Sequence, residues 1–162
     1  MSQVLCVGVA TVDNIVLVDK YPAANQRVVA LDSTRAVGGP ATTAAVTLAR
    51  LGVQVALSCV IGDDEEGRFI FETLKNEGVD TSHVVVDANV RTARGTIVVS
   101  KSEQSRAIMV TPHDQIPKKP LDTSKYQWIH VDQAGIRALK TGELAEVDLP
   151  SFPLILAMPL KD

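Results

Sequence analysis

The sequence predicts an α/β protein built on a mostly parallel sheet, and three observations carry that prediction. Val4 to Val9 is an apolar, β-branched run of the kind a strand needs when both of its faces are buried. Residues 40–51 follow with Ala41, Ala44, Ala45, Leu48 and Leu51 at helical spacing, and Gly52 stops the helix. Val53 to Ile61 then returns as a second continuous apolar strand. A strand, a helix and a strand with short joints form a right-handed crossover, the unit of a layered α/β fold.

Composition bounds the function before any motif is read. The chain has 162 residues, 46% of them hydrophobic and 22% charged, as in one soluble globular domain. A chain of that size buries about two thirds of the surface its unfolded form exposes. Net charge is −3, aromatics are 4%, and the notable basic cluster is Lys118-Lys119, so neither a phosphate-tracking stripe nor a base-stacking platform is present. Nucleic acid is not the expected partner. The apolar N-terminal run is interrupted by Asp13, and no uncharged run reaches the ~20 residues that span a bilayer. A cytoplasmic protein without a membrane partner is the expectation. Cys6 and Cys59 lie inside apolar runs without a CxxC, and read as small buried hydrophobes. His83, His113 and His130 are scattered with no HxH or HExxH, so no metal site is expected.

The remaining elements follow in order. Tyr21-Pro22 punctuates the chain, and residues 27–37 read as an extended segment, an exposed strand or a flap. Gly62-Asp63-Asp64 turns into a second amphipathic helix, Glu65 to Asn76, with Phe69, Ile70, Phe71 and Leu74 as its apolar positions and Gly78 closing it. Val84 to Val86 is a short strand. Residues 95–110 are two alternating runs about a polar turn, a β-hairpin signal. Tyr126 to Val131 is a buried-type strand and residues 133–142 a helix. Three prolines surround LILAM in the tail, which disfavours a central strand there unless it stays inside those five residues.

Two places could carry chemistry. In VGGPATTAAV, Pro40 suits the first helical position, where its missing N–H leaves nothing unpaired, with Gly39 as the cap. Bare glycines leave the first-turn N–H groups open, and the helix dipole draws oxygen-rich or anionic groups to them. Alternatively, Gly38-Gly39 only permits close helix-to-sheet packing. Asp13 lies just past the first strand, where open α/β sheets bind ligands, and a carboxylate can accept from two vicinal hydroxyls of a sugar. Its other reading is a turn-forming aspartate.

Taken together, Gly8 with Asp13, Asp19-Lys20-Tyr21-Pro22, GGPATTAAVTLARLG, and Gly62-Asp63-Asp64 with Gly67 resemble the N-terminal half of the ribokinase/PfkB carbohydrate kinases. LCVGVATVDNIVLVDKYP and YQWIHVD are similar to the ketohexokinase branch, and GGPATTAAV to the sulfofructose kinase branch. The resemblance covers roughly residues 3–135. It implies a ribokinase-like α/β/α domain over residues 1–135 with a small β lid from strands near 27–37 and 95–110, then a divergent proline-containing tail over 136–162. It further implies an ATP-dependent kinase phosphorylating a hydroxyl of a ketose-like sugar, with Asp13, Gly38, Gly39, Thr43, Thr92 and Arg106 on the substrate side, and a homodimer formed through the lid strands or an exposed sheet edge.

Two departures qualify that implication. Many members carry Asn at the sixth position of the glycine motif, where Thr43 stands here, so the identity of the sugar is left open. In the intact family fold the catalytic base, the anion-stabilising donors and the site for ATP and Mg2+ come from a Gly-Ala-Gly-Asp-like turn in the C-terminal half. No such turn, P-loop or GxGxxG occurs in this sequence. The expectation is therefore a truncated chain without catalytic residues or a nucleotide site, inactive alone. The alternative is an inactive sugar-binding or interaction remnant. A dinucleotide-binding oxidoreductase shares the layout but lacks the glycine fingerprint after the first strand.

Overall fold

The computed structural model describes residues 3–112, 117, 122–140 and 154–156. Among them, the main sheet has five strands, all paired in parallel: β1 (Val4–Val7), β4 (Val55–Gly62), β5 (Val84–Asp87), β8 (Trp128–Val131) and β9 (Leu154–Leu156), in the order β5-β4-β1-β8-β9. Every residue of β4 is buried, as a strand covered on both faces requires. Helices α1 (Pro40–Arg50) and α2 (Glu65–Asn76) cover one face, where Ala41, Ala45, Ile70 and Leu74 pack on Cys6, Leu57, Cys59 and Ile61. Helix α3 (Gln133–Lys140) covers the other, with Ala138 and Ile136 on Leu5, Val7, Ile129 and Val131.

Both long helices stop where the sequence places glycine. Gly52 and Gly78 have φ +81 and +78, and the residue after each donates back to the carbonyl five positions earlier, Val53 to Leu48 and Val79 to Leu74. Asp64 caps α2 by accepting from the Gly67 N–H at 2.8 Å.

A second sheet stands off the first. It has the order β3-β2-β6-β7, with β2 (Thr11–Val18), β3 (Asp32–Gly38), β6 (Ala93–Ser100) and β7 (Ser105–Val110). The β6–β7 hairpin matches the expectation for residues 95–110. The segment 27–37 does so in part: the strand runs over 32–38, and residues 27–31 lie outside any strand. The sequence reading also missed β2, which is the lid's central strand, antiparallel to β3 and parallel to β6. Its apolar run is read most simply as a loop leaving β1, and only pairing with two segments far along the chain makes it a strand.

The expected break at residue 135 falls inside α3, and β9 sits within the LILAM core, the one place the prolines permit a strand. His113, Lys118-Lys119 and the rest of the tail, 141–153 and 157–162, lie outside the described residues.

Candidate functional site

β1 ends at Val7, and Gly8-Val9-Ala10 carries the chain out of the main sheet into β2. Asp13 is thus the third residue of a lid strand, paired with Ala36 on β3 and Gly95 on β6, which displaces its reading as a turn residue. Its carboxylate lies over two glycines. A Cβ on Gly38 would sit 2.1 Å from one Asp13 oxygen, and one on Gly95 would sit 2.4 Å from the other. Only glycine at both positions leaves room for the acid. The Thr11 hydroxyl donates to Asp13 Oδ1 at 2.9 Å, fixing its rotamer, and the side chain stays half-buried at the foot of the lid.

Gly39 links that cradle to α1. Its φ of +94 lies in the left-handed region, and a Cβ there would stand 2.3 Å from the Val9 carbonyl oxygen. The first turn of α1 is less open than its sequence implies. Pro40 has no N–H, the Thr43 N–H donates to the Gly39 carbonyl at 2.8 Å, and the Ala41 N–H donates to Asp132 Oδ2 at 3.3 Å. Asp132, the last residue of the WIHVD segment, was not singled out as a site residue in the sequence. It is 1% exposed and accepts four backbone N–H groups: Val9 at 2.8 Å and Ala41 on one oxygen, Ala134 at 2.9 Å and Gly135 at 3.1 Å on the other. A Cβ on Gly8 would collide with this carboxylate at 2.1 Å.

Of the six substrate-side positions read from sequence, Asp13, Gly38 and Gly39 come together. Thr43 is exposed on α1 and lines a cavity of about 940 Å³ with Gly39, Thr47, Trp128 and His130, a flank to which Asp13 does not contribute. Burial lowers the pKa of His130 in that wall, the nearby Asp132 charge opposing the shift, so its imidazole is neutral at pH 7.

Thr92 is hydrogen-bonded within the fold. It is 2% exposed, its hydroxyl donates to Asp64 Oδ1 at 2.6 Å and accepts from the Gly62 N–H at 2.9 Å, and its own N–H donates to Asp64 Oδ2 at 2.9 Å. The hydroxyl is used in the joint between β4, α2 and the lid. Arg106, on the exposed edge strand β7, pairs with Val99, four residues beyond Gly95, which puts it about 13 Å along the strand from the Asp13 cradle.

Ion pairs fasten the lid to the body. Glu66 on α2 meets Arg94 of β6 at 2.9 Å and Arg35 of β3 at 3.8 Å, and Arg35 also reaches Glu65 at 3.0 Å. Burial pushes the Asp64 carboxyl up, but hydrogen bonds from Thr92 and Gly67 and the Arg94 charge outweigh it, and its pKa lies below the usual carboxylate range.

A sheet with helices on both faces, a small second sheet at its strand ends and an acid held over two glycines between them agree with what similarity to known proteins shows. The family described as pfkB family carbohydrate kinase matches residues 1–152. This chain belongs to that family. Among its relatives, ribokinase of Bacillus subtilis is 29% identical over 116 residues, covering 72% of this chain and 40% of that protein. Ketohexokinase of Mus musculus is 28% identical over 136 residues, covering 81% and 46%. A crystal structure of a putative ribokinase from Agrobacterium tumefaciens superposes with a TM-score of 0.80 at 28% identity, over 98% of this chain and 54% of that one. The pfkB-family chain described here therefore spans about half the length of the relatives it matches. Similar folds include ribokinases solved with ADP or ATP. The family match runs to residue 152, beyond the 135 at which the sequence resemblance faded.

Proposed function

We propose that this chain is the sugar-binding part of an ATP-dependent carbohydrate kinase. A ketose-like polyol would bind between the lid and the first turn of α1, its vicinal hydroxyls donating to Asp13 and its ring approaching the backbone at Gly38 and Gly39. The observation that carries this reading is the Asp13 carboxylate in its two-glycine cradle, a half-buried acceptor with nothing but hydrogen on the neighbouring backbone. A carboxylate is acceptor-only and takes hydrogen bonds well from paired hydroxyls. The names of the relatives, ribokinase and ketohexokinase, support the sugar class. Thr43 would border the ligand from the helix side; Arg106 would reach it only if the lid folded over.

Phosphoryl transfer needs an oriented base, donors for the developing charge and a Mg2+-bound nucleotide. Among the described residues no three His, Cys, Asp or Glu side chains come together, and in this reading the base, the donors and the nucleotide with its Mg2+ are supplied from outside them. The N–H at Ala41 is already taken by Asp132. No catalytic residue is assigned, and the isolated chain binds sugar without turnover. A homodimer through the lid is part of the same reading, supported by Ile108, Met109 and Val110, each about half exposed along the β7 edge. A cytoplasmic setting accords with two free, buried cysteines.

Calorimetric titration of the chain with ribose and with fructose, beside a coupled ADP-release assay, tests this. At least one sugar should bind, Asp13→Asn should weaken it by about tenfold or more, and no sugar-dependent ADP should appear. Unchanged affinity in Asp13→Asn, or ADP release by the wild-type chain, would overturn the proposal.

A further inference from the structure

The segment Gly38-Gly39-Pro40-Ala41 runs between two carboxylates. Asp13 presses on Gly38 from the lid side, and Asp132 holds the Ala41 N–H from within the main domain. Asp132 is also bound by Val9 N–H, so it ties together the strand-to-lid turn and the α1 N-terminus, and through Ala134 and Gly135 it caps α3 on the opposite face of the sheet. A helix N-terminus ordinarily attracts anions through its unpaired N–H groups and dipole. Here two such ends share one buried internal anion, with four donors satisfying its lone pairs.

We infer that Asp132 is a positioning residue that sets the charge class of the ligand: it fixes the Gly39–Ala41 backbone against the β1 turn and closes the α1 N-terminus to phosphate and other anions, leaving that edge of the cleft for neutral hydroxyls. It does so without touching the ligand, since the carboxylate is buried and fully bonded. The consequence for a kinase product is direct. A phosphorylated sugar cannot relax onto the first turn of α1, and the two flanking carboxylates oppose it there. This inference rests on the sugar-binding reading for the identity of the neutral ligand, whereas the exclusion of anions stands on the Asp132 geometry.

Backbone amide NMR on the whole chain separates the two. In the wild-type protein the Val9 and Ala41 amides should exchange slowly although neither has a backbone partner assigned, and inorganic phosphate should leave the Gly39 to Thr43 resonances in place. In Asp132→Asn, exchange at Val9 and Ala41 should quicken by about tenfold or more, and phosphate should move those resonances with an affinity about tenfold above wild type. Fast exchange at both amides in the wild type, or phosphate shifts there equal to those in the variant, would overturn the inference. Should Asp132→Asn fail to fold, wild-type exchange and the wild-type phosphate titration decide by themselves. A neutral ketose that leaves these resonances unmoved in the wild type refutes the sugar reading, while the exchange and phosphate results still decide the role of Asp132.

Discussion

Replacing Thr92 by valine removes a hydroxyl and keeps the shape, so its effect can be worked from the structure. The hydroxyl is the acceptor for the buried Gly62 N–H at 2.9 Å and a donor to Asp64 at 2.6 Å. Leaving the Gly62 N–H without this partner costs about 1–3 kcal/mol. Asp64 keeps its bonds from the Gly67 and Thr92 N–H groups, so the second loss adds about 1 kcal/mol. The sum is about 3 kcal/mol, which for a chain of this size lowers Tm by about 6–12 °C. Thr92→Ser keeps both hydrogen bonds and loses one methyl, about 0.8 kcal/mol. Thermal and urea unfolding followed by circular dichroism reads both variants without any ligand. The structural role of Thr92 also requires that sugar affinity, measured on the folded fraction, stay within about threefold of wild type. A Thr92→Val protein that melts at the wild-type temperature but no longer binds sugar would refute the reasoning and return Thr92 to the substrate.

Three further outcomes are expected. Asp64 has a folded pKa below its unfolded value near 4, so its share of stability is present above that value and is lost as pH falls through the folded pKa; urea midpoints of wild type and Asp64→Asn should converge as pH is lowered below about 4. Cys6 and Cys59 are fully buried, with thiols pushed up to about 12 by burial and then by the Asp132 charge, so a thiol reagent at pH 8 should leave both unmodified until denaturant is added, and prompt native labelling would contradict the packing. Glu66→Gln should loosen the lid without unfolding the body: with Arg94 released and Arg35 left on Glu65 alone, amide exchange should rise by about fivefold in β6 and less in β3, consistent with about 1 kcal/mol for a partly exposed pair, while β1 and β4 stay protected.

The main sheet and its helices were legible in the sequence because their signals are local. Continuous apolar runs at 4–9 and 53–61, helical spacing at 40–51 and 65–76, and glycines at 52 and 78 each act within a few residues of one another, and the structure follows them. The lid was legible in its hairpin, where 95–110 carries its own turn, and in part of β3, which the extended segment 27–37 overlaps from residue 32. β2 has no local partner: it pairs with residues 32–38 and 93–100, and its side chains are partly buried on both faces, so neither alternation nor length marks it. The site divides along the same line. Asp13, Gly38 and Gly39 sit in motifs that stand out, but Gly95 becomes meaningful only when β6 is laid beside β2. Asp132 ends an ordinary-looking strand, and what makes it special is the convergence of four N–H groups from three separate segments. A charged residue directly after an apolar strand and before Gln-Ala-Gly was the available signal.

The glycines themselves decide whether the cradle is a ligand site or merely tight packing. Gly39→Ala forces φ +94 on a residue with a side chain and drives its Cβ into the Val9 carbonyl, a backbone atom that cannot step aside. Stability and any ligand binding should fall together. At Gly95 the obstacle is the far end of the Asp13 side chain, which can rotate away, and φ lies outside the left-handed region. Gly95→Ala should therefore stay within about 1 kcal/mol of wild type in urea unfolding while displacing the carboxylate. Losing a charged hydrogen bond to a ligand corresponds to about 1.5–3 kcal/mol, or about tenfold to a hundredfold in sugar affinity. If Gly95→Ala instead loses stability as Gly39→Ala does and the residual folded protein binds sugar normally, the glycine serves packing alone. Asp13 would then be held in place for the lid rather than for a ligand.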